Sequence, residues 1–206
     1  MSVVPLFQLQ SAQQVAREQA PSWGRAELSG RLMELSAQGD SAQLTIAMGL
    51  VAQAQDEGEP CAWISARADM FYPPDAASGH VDLETLVVVR TADSKQAGRA
   101  ADKLLRSGAF GLVVLDMGSR PSLSMALQAR LVKLAQKHDA AVVCLTDKPA
   151  RHASLSSLVS LRCAAKRTRK SRRGAGFLCE VEVLKDKRRG PGWRHVEEIR
   201  GPPGLR

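Results

Sequence analysis

Residues 30–64, GRLMELSAQGDSAQLTIAMGLVAQAQDEGEPCAWI, hold the most informative pattern in the chain. Arg31 to Ser36 alternates apolar and polar residues, the period of a strand. Ser41 to Gln55 places Leu44, Ile46, Leu50 and Val51 at helical spacing, with Asp40 or Ser41 expected as the N-cap. Cys61 to Ile64 is a short buried strand. Strand, helix and strand in that order make a crossover unit.

The same alternation continues downstream. Strands are expected at Leu86–Val89, Phe110–Leu115 and Ala141–Leu145, and helices at Ser94–Ser107 and Ser122–Lys137. The predicted class is therefore α/β, a mainly parallel sheet flanked by helices. After Thr146 the pattern changes. Leu158–Cys163, Phe177–Leu184 and His195–Ile199 read as successive strands without helices between them, which predicts antiparallel strands at the C-terminal edge. Two basic loops would separate them, Ala164–Gly176 and Lys185–Arg194, the second turning at Gly190-Pro191-Gly192. Upstream, residues 5–19 predict a short amphipathic helix ended by Pro21, and residues 21–30 a linker. This gives an N-terminal segment and linker over 1–29, a core over 30–200 and a disordered tail over 201–206.

The chain has 206 residues, 44% of them apolar, which suits one α/β core with short tails. No run approaches the length needed to span a bilayer, and the N-terminus carries no secretory signal, so a cytoplasmic, nucleoid-associated protein without membrane contact is expected. Cys61, Cys144, Cys163 and Cys179 are far apart in apolar runs and predict buried, reduced thiols rather than a metal site. His80, His138, His152 and His195 show no ligand spacing and predict surface or packing roles. Trp63 is expected in the core. Phe71 and Tyr72 precede Pro73-Pro74 in a loop, where local packing is the simpler role and a partner anchor the alternative.

The formal charge is +8, unevenly placed. Residues 162–206 hold fourteen Lys and Arg against five Asp and Glu, whereas residues 1–161 are nearly neutral. Such asymmetry predicts an anionic partner, DNA first. The candidate contacts are Lys166, Arg167, Arg169, Lys170, Arg172 and Arg173, with Lys185, Lys187, Arg188 and Arg189. Contacts of this kind hold phosphates without reading sequence; a solubilising rim is the alternative.

The order of elements from Gly30 to Ile199 resembles the ATPase core of RecA-type recombinases. The resemblance rests on Gly30–Leu35, Ala54–Ile64, Leu104–Ala109, Leu112–Asp116, Leu158–Arg162 and Val181–Lys187. It implies a RecA-like fold with a P-loop between the first strand and the first long helix. A P-loop needs glycine backbone around the phosphates, a lysine for the β- and γ-phosphates and a hydroxyl for Mg²⁺. Here Ala37 and Ala42 stand at the two defining glycines, Gln43 at the lysine and Leu44 at the hydroxyl. Asp116 keeps the Mg²⁺-associated carboxylate, and Arg67 falls where the family's catalytic glutamate belongs. A guanidinium cannot accept a proton at neutral pH. The expectation is a protein without ATPase activity and without cofactor or metal. The segments Met117–Ser122 and Asp147–Ser156 are also short beside the family's DNA loops.

A short RecA homologue with a degenerate P-loop and a basic C-terminal end resembles the ImuA family. That resemblance implies an accessory role in SOS-induced mutagenic translesion synthesis, with an ImuB-like protein, RecA and an error-prone C-family polymerase as partners. Phe7, with Leu6 and Leu9, would be the docking segment. Three alternatives accompany it: a regulator of RecA filaments, a RecA-like cell-division inhibitor, and a weak nucleotide-binding ATPase supported only by Asp116.

Overall fold

The computed structural model describes residues 23–67, 73–169 and 176–200. Its elements in order are α1 (Arg25–Leu28), β1 (Arg31–Ala37), α2 (Gln43–Asp56), β2 (Cys61–Ser65), α3 (Pro73–Ser78), β3 (Leu86–Arg90), α4 (Ser94–Ser107), β4 (Leu112–Asp116), α5 (Met125–His138), β5 (Ala141–Thr146), β6 (Leu161–Arg169), β7 (Gly176–Asp186) and β8 (Arg194–Arg200). The strands form one eight-stranded sheet in the order β3-β2-β4-β5-β1-β6-β7-β8. Pairings from β3 to β6 are parallel, and β6–β7 and β7–β8 are antiparallel. The expected α/β class and its antiparallel C-terminal edge are both present.

Each sheet face carries its own apolar layer. Met33, Leu35, Trp63, Val114 and Val143 meet α2 and α3 on one side, and Leu32, Ile64, Leu115 and Val142 meet α4 and α5 on the other. Because β4 and β5 are covered on both faces, they read as unbroken apolar runs rather than alternations. Capping sets the helix bounds. Asp93 accepts from Gln96 N at 2.7 Å and Gly108 closes α4 at φ 71°, so that helix spans the expected residues. In α5 the cap is Ser124, which moves the start from Ser122 to Met125.

Other differences have local causes. The helix α2 begins at Gln43, and neither Asp40 nor Ser41 is its N-cap; Ala42 holds that position without a side-chain cap. Where Gly24 and Gly30 predict a linker, Arg25–Leu28 makes one helical turn, and Leu28 is fully buried. The loop expected from Ala164 is instead strand as far as Arg169, paired in register to Phe177. Residues 5–20, 71–72 and the 201–206 tail lie outside the described residues. Among the described residues no helix is long and apolar enough to cross a membrane. All four cysteines are buried and unpaired, and burial pushes the Cys61 thiol up to about 12. Trp63 is fully buried.

The antiparallel strands are joined to the parallel half by a buried guanidinium. Arg31, 2% exposed, donates to Glu27 Oε1 at 2.9 Å, Asp186 Oδ1 at 2.5 Å and the Ser160 carbonyl at 2.9 Å. Burial alone would raise the Asp186 pKa, but the Arg188 N–H, Arg31 and the Trp193 indole N–H together hold it below the usual range. A carboxylate with a depressed folded pKa stabilises above its unfolded value, and that contribution is lost as pH falls through the folded one. Asp186→Ala should therefore cost about 1–3 kcal/mol near neutral pH, because it removes one of the two carboxylates that meet Arg31 and leaves Glu27 as its remaining acid. Urea denaturation should show parent and variant converging at strongly acid pH.

Candidate functional site

The segment at the P-loop position is hydrogen-bonded into the sheet. Gln38 N donates to the Ala165 carbonyl at 3.2 Å, and Arg167 N donates to the Asp40 carbonyl at 2.6 Å, so the chain after β1 continues the β1–β6 ladder. Gly39 alone adopts a left-handed conformation there, at φ 55°. Ala42 is fully buried, and the half-buried Leu44 packs against the core. Gln43, 4% exposed, turns its amide inward and donates to the Leu35 carbonyl at 2.5 Å and the Thr146 carbonyl at 2.9 Å. Both N–H donors are thus spent on the carboxyl ends of β1 and β5. A neutral amide so engaged has neither charge nor donors to offer a triphosphate.

Asp116 ends β4, 1% exposed, with Ser65 Oγ at 3.5 Å from its Oδ2. Burial pushes its pKa up to about 6; Arg67 works against that shift and Asp147 adds to it. Arg67 leaves β2 and pairs through Nη1 with Asp147 Oδ2 at 2.9 Å. Its stem crosses Gly118, where an added Cβ would come within 2.8 Å of Arg67 Cδ. Asp147 N also donates to the Gly118 carbonyl at 3.0 Å. Arg67 therefore fastens the segment after β4 to the segment after β5. Beside it lies a shallow cavity of about 300 Å³, walled by Arg67, Asp93, Ser94, Gly118 and Arg120.

A second buried group governs the loop between β5 and β6. Glu34, fully buried, accepts from Thr146 Oγ1 at 3.2 Å and Leu155 N at 2.7 Å, and lies 3.4 Å from Lys148 Nζ and 3.7 Å from Arg162 Nε. Arg162 in turn donates to the carbonyls of His152 and Pro149. Lys185 Nζ reaches the Ser156 carbonyl at 3.5 Å, and burial, with Lys187 nearby, lowers its pKa. Residues 147–160 are thus folded down onto the sheet edge. The sequence signal for this hub was an acid inside the apolar run Leu32–Leu35, since a buried carboxylate needs partners.

Among the described residues, the basic side chains fall towards the two ends of the β6–β7 hairpin. Lys166, Arg167 and Arg169 are exposed near the far end of β6, without an ion pair among the described residues. Lys185 stands opposite Arg162, and Phe177 opposite Arg169 seven residues along, roughly 24 Å away at the rise of a strand. Beyond Lys185, Arg188 donates to the Glu27 and Ser29 carbonyls and Arg189 pairs with Glu27 at 3.0 Å, while the exposed Lys187 holds no ion pair among the described residues. Lys170, Arg172 and Arg173, and the docking candidates Leu6, Phe7 and Leu9, lie outside the described residues.

The family described as RecA N-terminal domain matches residues 10–143. This chain belongs to that family. Protein RecA of Cutibacterium acnes is 34% identical over 117 residues, which cover 52% of this chain and 33% of that protein. Protein RecA of Acinetobacter baumannii (strain AYE) is 33% identical over 117 residues, with the same 52% and 33% coverage. The match spans about a third of the length of these curated relatives.

Within this RecA-family core, the positions expected for nucleotide chemistry do converge on the carboxyl edge of the sheet, but each is already occupied from within. Gln43 caps two strand ends, Arg67 bridges two loops, and Asp116 faces Ser65. Asp116 also gives a pH signature. In the folded chain it protonates near pH 6, against 3.8 for an ordinary aspartate. The folded state binds that proton more tightly, so this contribution is complete below the unfolded value and is lost as pH rises through 6. Asp116→Asn should be more stable than the parent by about 1–3 kcal/mol at neutral pH. Urea midpoints should show the difference vanishing towards the acid side of that window.

Proposed function

We propose that this chain is a non-catalytic RecA-like accessory protein in SOS-induced mutagenic translesion DNA synthesis, an ImuA-like member of its family. In this reading it assembles with an ImuB-like protein, with RecA or an error-prone C-family polymerase in the same complex, and holds DNA through its basic C-terminal region. The supporting observation is the Gln43 amide, which fills the place of a phosphate-binding lysine and bonds to Leu35 and Thr146 instead. Opening the pocket would require breaking two buried hydrogen bonds with no cation gained in exchange. A core so closed serves as a surface for assembly, and recombinase cores are known to pair through shared surfaces. The segment around Leu6, Phe7 and Leu9 supplies the docking contact.

Direct regulation of RecA filaments is the second reading, favoured by the identity to RecA itself. The two differ in first partner. Pull-downs with the intact chain and with a form lacking residues 1–20 should retain an ImuB-like protein only with the intact chain; capture of RecA alone would favour the second reading. Titration calorimetry with ATP and Mg²⁺ should register no binding, and micromolar affinity would overturn the non-catalytic reading. For duplex DNA, neutralising about six phosphates gives a log–log salt slope near −5. A slope near zero would remove DNA from the proposal.

A further inference from the structure

The Arg167 guanidinium lies over the Phe177 ring, 4.9 Å from its centroid. Register brings them together: Arg167 is opposite Cys179 and Arg169 opposite Phe177. Side chains two residues apart share a sheet face, so Arg167, Arg169, Cys179 and Phe177 all lie on one face of the hairpin. Cys179 is buried as its floor, Phe177 is half-buried, and both arginines are exposed.

The two faces of this hairpin differ in charge. On the opposite face Lys166 stands across from Glu180, and Arg194 lies 3.2 Å from Glu180 and 3.5 Å from Glu182, so cations and carboxylates alternate. On the Arg167 face the nearby acid is Glu197, opposite Cys179 and 3.8 Å from His195 Nε2. Neither Arg167 nor Arg169 has an ion pair among the described residues. This face therefore carries unspent positive charge beside an aromatic ring.

A guanidinium held flat on an aromatic ring keeps two recognition elements free. Its in-plane N–H groups can meet phosphate oxygens, and its outer plane can accept a base. A lysine in the same place offers only the charge. Duplex DNA has no unstacked base to give, whereas a single strand does. We propose that Arg167, seated on Phe177, is a base-stacking contact for single-stranded DNA, with Arg169 on a neighbouring phosphate. The proposal rests on the DNA-binding reading above and narrows it to one face of one hairpin.

The test is fluorescence anisotropy on the full chain, with a thymidine oligonucleotide and an abasic oligonucleotide of equal length. The base-bearing strand should bind about ten-fold tighter than the abasic one. Arg167→Lys, which keeps the charge, and Phe177→Leu, which removes the ring, should each bring that ratio towards one. In both, any loss of abasic affinity should be smaller than the loss for the base-bearing strand, with the thermal midpoint nearly unchanged. Equal affinity of the parent for both strands, with salt dependence intact, overturns stacking and leaves phosphate-held DNA binding standing. A full ratio retained in both variants overturns the assignment to this pair. No binding to either strand at low salt overturns both readings.

Discussion

A strand hydrogen-bonded on both sides and covered on both faces has no route to water, yet β1 carries Arg31 at one end and Glu34 and Ser36 near the other. Each charge on it had to be met from within the protein. Arg31 draws Glu27 from just upstream and Asp186 from far downstream. Glu34 draws Thr146, Leu155, Lys148 and Arg162. These two demands, at opposite ends of one strand, recruit the antiparallel extension and the loop between β5 and β6. Pairs of this sort add little over apolar packing of the same volume, but losing one member is costly.

The same economy shapes the site. Polar groups along the carboxyl edge of the parallel strands look inward: an amide caps carbonyls, a guanidinium joins two loops, a carboxylate sits beneath a serine. On the β6–β7 hairpin, by contrast, Lys166, Arg167 and Arg169 are exposed and hold no ion pair among the described residues.

Much of the architecture was legible because its signals are local. Asp93 and Gly108 bracket α4 and announce its ends, and the unbroken apolar runs of β4 and β5 announce burial on both faces. Which residues stand at the P-loop offsets, Ala37, Ala42, Gln43 and Leu44, is likewise read directly from the sequence. What escaped depends on register. Basic composition from Ala164 onward reads as a loop, but pairing with Phe177–Val183 carries β6 to Arg169. Lys185 and Arg188 look like neighbours of Arg167 in sequence, yet the hairpin separates them and the Glu27 and Ser29 carbonyls engage Arg188. The helical turn at Arg25–Leu28 was hidden because its stability comes from burying Leu28, not from propensity. Glu34 left a visible clue, but its partners lie over a hundred residues away.

The buried thiols give the molecule a built-in record of its own breathing. Cys144 lies in the layer against α4 and α5, whereas Cys61, Cys163 and Cys179 lie in the layer against α2. Thiolates are the reactive species, and burial suppresses them on both sides of the sheet. Alkylation of each cysteine is therefore gated by the excursion that bares it, so the four labelling rates chart how independently the two layers open.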